Sequence, residues 1–189
     1  SGILLLTLLL GPLGLLSYLT LRSGLFSRVR DVWRASYDSS PQLSILGLLS
    51  ALTAAVTTPL QFLDARQLGG SSIWLKPTKF GVSIAIFSFT LALLLRAISV
   101  PAVSRKRLLT TITWLTGLEL VIISVQAARG VGSHYNVSNL LNGALFQIMG
   151  IAITIVTIAV ARLGWYALRT QFADEALGAG IRLGFLIMV

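Results

Sequence analysis

Glu119 is a carboxylate set near the middle of a long apolar run, Leu108–Ala128. An ionised group at the membrane depth such a run implies is penalised by about 2.5–3.5 kcal/mol even on lenient scales unless it is paired, hydrated or protonated, so it marks a functional candidate. Gln126 lies seven residues on, two helical turns along the same face, and Arg129 carries that stripe to the end of the run. Asn142 and Gln147 fall in the next apolar run. Such side chains can tie helices together by hydrogen bonds averaging about 0.6 kcal/mol, and the same groups can ligate a pigment or line a path. Glu119 is expected to face the bundle rather than lipid, with Ser88 and Thr90 of the preceding run as its neighbours at similar depth.

His134 is the only histidine, in the loop Gly130-Val131-Gly132-Ser133-His134-Tyr135-Asn136. It reads as a hydrogen-bonded loop residue, an axial ligand to a chlorophyll magnesium, or a proton-transfer group. With no cysteine in the chain and no carboxylate nearby in sequence it makes a poor metal site, so no metal centre is expected and His134 should support its loop. Lys76 and Lys79, three apart around Pro77, can share one face at a helix start and meet anionic headgroups, as can Arg66. Cations there oppose the helix dipole, which raises the chance of a binding role for the two lysines. The sequon Asn136-Val137-Ser138 is too short a pattern to establish glycosylation. No nucleophile–base pair, paired carboxylates or phosphate-binding glycine loop is visible. Gly130 and Gly132 read as turn glycines, because no strand precedes them.

The elements that position these residues are membrane helices. The chain is 55% hydrophobic and only 11% charged, against roughly 25% charged in soluble domains. Five runs approach the roughly 20 apolar residues that cross a bilayer as a helix: Ile3–Leu21, Leu43–Leu63, Phe80–Ile98, Leu108–Ala128 and Leu140–Ala161. A sixth begins near Ala179 and reaches the last residue, Val189. The expected fold is an all-α polytopic bundle of five complete spans and a truncated sixth, forming one domain over residues 1–189. Because both ends fall in apolar runs, the chain reads as a fragment of a longer protein. Ile3–Leu21 lacks the basic flank and cleavage site of a signal peptide. Gly11-Pro12 and Pro59 predict kinks, and Gly47, Ser50, Ala51 and Ala54 predict a close-approach face on the second span.

A net charge of +9 in a soluble chain would suggest nucleic acid, but here the cations cluster in short loops. Membrane lipids and other membrane subunits are the expected partners, and nucleic acid is not. With alternating spans, one side carries Arg22, Arg28, Arg30, Arg34, Arg96, Arg105, Lys106, Arg107, Arg162 and Arg169, while the other carries Arg66, Lys76, Lys79 and Arg129. The richer side should face the cytoplasm or stroma, placing the loops 22–42 and 96–107 there. In the 22–42 loop, Leu25, Phe26, Val29 and Trp33 alternate with arginines at roughly helical spacing, as in a helix lying among headgroups.

Two partial resemblances add expectations. The opening stretch, from Leu5-Leu6-Thr7 through Gly11-Pro12-Leu13-Gly14 to Arg22, resembles the closing helix of the plastid and cyanobacterial family named for the abscisic-acid-deficient protein required for neoxanthin formation. The run Trp74 to Ser83, with Gln126-Ala127-Ala128-Arg129-Gly130 and Ser133-His134-Tyr135-Asn136, resembles uncharacterised bacterial integral membrane proteins, which implies that these segments form one unit. Two functions follow as expectations. The first is a non-catalytic subunit of a larger, photosynthetic membrane complex that binds lipids or pigments, with chlorophyll or carotenoid as candidate cofactors. The second is a carotenoid-modifying enzyme or small-molecule transporter whose polar site includes Glu119. A thylakoid or a bacterial inner membrane would suit either.

Overall fold

A computed structural model describes residues 26–188. The expected first span, Ile3–Leu21, with Gly11-Pro12, lies outside the described residues. Six helices occur in the order α1 (Phe26–Ser39), α2 (Pro41–Leu63), α3 (Leu75–Leu94), α4 (Ala102–Ala128), α5 (Leu140–Arg169) and α6 (Glu175–Met188), with a small hairpin, β1 (Gln67–Leu68) and β2 (Ser71–Ser72), between α2 and α3. Four of them, α2 to α5, are long and apolar enough to cross a membrane, so the described residues form a helical fold with four candidate spans, compatible with an integral membrane protein. All four expected spans that fall within the described residues are thus present as helices, and the fifth falls outside them. At about 1.5 Å per residue the 14-residue α6 falls short of a span.

The four long helices run alternately up and down, so connections gather at two ends. The near end holds α1, the start of α4 and the α5–α6 turn. There Arg105 of α4 donates to the carbonyls of Leu95 and Ser39, and the Ser99 amide donates to Thr170 Oγ1. The far end holds the hairpin and the α4–α5 loop.

Within the basic 22–42 loop, Phe26–Ser39 forms helix α1, with Trp33 turned toward Phe89 of α3 at a ring separation of 6.2 Å and Val29 exposed. It stops where Ser40 caps α2 and Pro41 supplies the pre-set first-turn φ. The closest helix crossing is α2 on α3. A Cβ built on Gly81 would lie 2.8 Å from the Ser50 carbonyl oxygen, and one on Gly47 2.9 Å from the Phe89 ring. Gly47, Ser50 and Ala54 form the expected small face, but Ala51 is exposed and lies off it. Further toward the near end, Leu91, Leu95, Ile112, Leu163 and Phe185 bring α3, α4, α5 and α6 into one core.

Boundaries differ from the hydropathy reading in one telling place. The third helix begins at Leu75, five residues before the apolar run at Phe80. Its first five residues include Lys76 and Lys79, which a hydropathy window rejects, while Pro77 fits early in a helix because its missing N–H would have no partner there. The hairpin was also unforeseen; its turn residues Gly69 and Gly70 have φ of 58° and 80°, the left-handed pair that a tight two-residue turn demands.

Candidate functional site

Three ionisable side chains from three elements meet inside the far end. Lys76 comes from the first turn of α3, His134 from the α4–α5 loop, and Glu119 from α4, nine residues before its last. Lys76 Nζ lies 2.9 Å from His134 Nδ1, and His134 Nε2 lies 4.0 Å from Glu119 Oε1. The Glu119 carboxylate is only 6% exposed, so it faces the bundle. The His134 ring is walled by Phe80 of α3 and Phe146 of α5, each at 6.2 Å between centroids.

The loop is bent to deliver that imidazole. Tyr135 has a φ of 55°, a left-handed conformation that costs a non-glycine residue roughly 1–2 kcal/mol. The turn sends Tyr135 to the same Phe146 ring at 5.1 Å, so the two neighbouring side chains both pack on it. Ser133 is buried and its hydroxyl is 3.1 Å from His134 Nδ1. A charged lysine can only donate, so Nδ1 accepts from Lys76 and the ring proton sits on Nε2, aimed at Glu119. Burial, and next the neighbouring Lys76 charge, hold His134 below the usual histidine pKa. The imidazole is therefore neutral at pH 7.

A second group fastens the loop. Gln126 Nε2 donates to Asn142 Oδ1 at 3.0 Å, and Arg129 Nη1 donates to the side-chain oxygens of both. Asn142 Nδ2 donates to Ser138 Oγ, which donates to Asn136 Oδ1, and Asn136 Nδ2 returns to the Gly132 carbonyl at 2.9 Å. These amides spend their capacity on one another and on the loop, which is a structural use. At the rim, Arg66 pairs with Asp64, Asp64 also accepts from the Trp74 indole, and Arg66 Nη1 reaches the Ala128 carbonyl at 3.0 Å. The Arg66 and Trp74 donors hold Asp64 well below the usual carboxylate range.

Several expectations are redirected by this geometry. Ser88 and Thr90 are buried but their hydroxyls have no partner, and Glu119 instead has His134 beside it. Matching depth on antiparallel helices fixes height and leaves rotation open. His134 was expected to have no nearby carboxylate; the loop folds into the bundle and brings one to 4.0 Å. With Nδ1 facing Lys76 and Nε2 facing Glu119, neither nitrogen points to open space as a magnesium ligand must. Gln147 is exposed on the outer face of α5 and Lys79 is exposed at the rim, so neither joins the group; Lys76 and Lys79 diverge although they are three apart. Arg66 and Arg129 are engaged by protein groups. Phe80, Tyr135, Ser133 and Trp74 belong to the site or its frame and were named from sequence only within segments expected to form one unit, while Phe146 of α5 was not singled out at all.

Comparison with protein-family models, curated proteins and solved structures returns no match.

Proposed function

We propose that this chain is a membrane transporter for a small solute, driven by proton exchange at the Lys76–His134–Glu119 group. The observation that carries the reading is the imidazole held 2.9 Å from an amine and 4.0 Å from a buried carboxylate. Ionisable groups inside a bundle are the usual parts of proton relays, and a neutral imidazole is the usual shuttle. The relay balances. Lys76 passes a proton to Nδ1, Nε2 passes its own to Glu119, and an ammonium–carboxylate pair becomes an amine and a carboxylic acid with the net charge unchanged. Closing the 4.0 Å gap to hydrogen-bond reach needs a movement of roughly 1 Å. Thr116, one turn from Glu119 on the same face, is a buried hydroxyl without a partner and continues the polar line inward. The more basic near end suits the cytoplasmic side, which would open the site outward.

A second reading, a lipid- or pigment-binding subunit of a larger, possibly photosynthetic assembly, is favoured by α5. Only 28% of its most apolar stretch is buried, against 39–44% in the other spans, and Ile151 and Ile158 are exposed. Lipid can cover that face as well as another subunit can. The carotenoid-modifying reading rests on the opening residues alone.

The test uses the full chain in liposomes adsorbed on a solid-supported membrane, with a rapid pH step as the only stimulus. A transient charge movement is expected for the wild type and for Lys79→Gln, and its loss for Glu119→Gln. An unchanged transient in Glu119→Gln, or none above empty liposomes in the wild type, overturns the proposal.

A further inference from the structure

The near end carries a feature the transport reading does not use. An open groove of about 380 Å³ runs between the α1–α2 corner and the first turns of α4, lined by Ser39, Pro41, Gln42, Arg105, Lys106 and Leu109 among others. We propose that it holds the phosphate of an anionic lipid headgroup.

The charge in its wall has no counter-ion. Arg105 is half-buried, with Nη1 on the Leu95 carbonyl at 2.9 Å and Nη2 on the Ser39 carbonyl and hydroxyl at 2.9 and 3.0 Å. All three acceptors are neutral, so they fix the guanidinium in place and leave its charge uncancelled. Lys106 is exposed beside it, and no acidic group lies within ion-pair distance of either among the described residues. Gln42 adds a directed donor: its Oε1 accepts from Thr110 Oγ1 at 3.4 Å, which leaves its amide nitrogen free. Two cations and an amide N–H around an open groove recognise a phosphate.

The setting selects a lipid over a free ion. The groove lies where α2 and α4 begin, at the membrane end of two spans, beside the arginine-bearing α1. Basic pockets between spans on the cytoplasmic side are the kind that take acidic headgroups. Pro41, Ala102 and Leu109 supply an apolar lining for the glycerol end.

The full chain, reconstituted in nanodiscs of phosphatidylcholine with a minor fraction of phosphatidylglycerol, is released into detergent and its retained lipids are read by native mass spectrometry. Phosphatidylglycerol should be enriched over its bulk fraction. The enrichment should fall roughly fivefold in Lys106→Gln, the effect of one basic group near a membrane surface. It should fall again with Gln42→Leu added, and Gly150→Ala on α5, away from the groove, should leave it unchanged. Arg105 is left intact because it also braces the fold. No enrichment, or enrichment insensitive to Lys106→Gln, overturns the proposal. Displacement of the lipid by millimolar inorganic phosphate would assign the groove to free phosphate and overturn it too.

Discussion

His134 is held neutral by burial and by Lys76, and that has a pH consequence for its loop. A histidine whose folded pKa lies below its unfolded value near 6.5 takes up protons more readily in the open loop than in the closed one. The closed loop is therefore fully favoured above about pH 6.5, and it loses stability as the pH falls through that value toward the lower folded pKa. Protonation also removes the lone pair that accepts from Lys76 and sets two cations in contact. Amide hydrogen exchange across residues 130–139, corrected for intrinsic rates, should quicken on going from about pH 7.5 to about pH 5.5. His134→Gln, which keeps a hydrogen-bonding side chain without the titration, should flatten that dependence. Equal protection at both pH values in the wild type would show that His134 does not latch the loop.

At the scale of elements, the far-end site depends on the distance between α2 and α3. Gly81 sets it, since an added Cβ would meet the Ser50 carbonyl at 2.8 Å and the Ala54 amide at 3.0 Å, backbone atoms that cannot rotate away. Gly81→Val should destabilise the bundle by about 1–3 kcal/mol, the usual range for overpacking, read from the midpoint of unfolding in mixed micelles. Gly150→Ala on α5, where nothing lies within 4 Å, should leave the midpoint unmoved or raise it slightly. A neutral Gly81→Val would mean that the crossing is looser than this geometry. The crossing was half legible in the chain: Gly47, Ser50 and Ala54 announce a small face on α2, but Gly81 is one glycine in an apolar run and names no partner. The spans were legible for the same reason, because apolar length is a property of one segment. Contacts between segments were not. Glu119 could be put inside the bundle from the cost of exposing it, yet its neighbour comes from the α4–α5 loop, whose inward fold depends on Tyr135 at positive φ and on the Gln126–Asn142–Ser138–Asn136 chain of bonds. Each of those residues has an ordinary solvated reading when taken alone.

The whole molecule is asymmetric across its long axis. The near end gathers Arg30, Arg34, Arg96, Arg105, Lys106, Arg107 and Arg169, while the far end has Arg66, Lys76, Lys79 and Arg129. Lysines and arginines in short loops beside spans are retained on the cytoplasmic side, so α1 and the start of α4 should lie there, with the hairpin and the His134 loop opposite. The proposed functions depend on this orientation, because it would open the relay outward and set the phosphate groove against the leaflet richer in anionic lipid. The chain has no cysteine, so single cysteines report without background. Ser133 is a poor probe because its side chain is buried against His134, and Ser104 contacts the Tyr166 hydroxyl. Ser71 in the hairpin and Val103 at the start of α4 are both exposed. In intact cells an impermeant maleimide should label Ser71→Cys and spare Val103→Cys, and permeabilisation should make the second as reactive as the first. Labelling of Val103→Cys alone would invert the protein in its membrane, and the relay would then open toward the cytoplasm. Labelling of both in intact cells would deny the four-span topology, since the single span α3 lies between these two positions and places them on opposite faces.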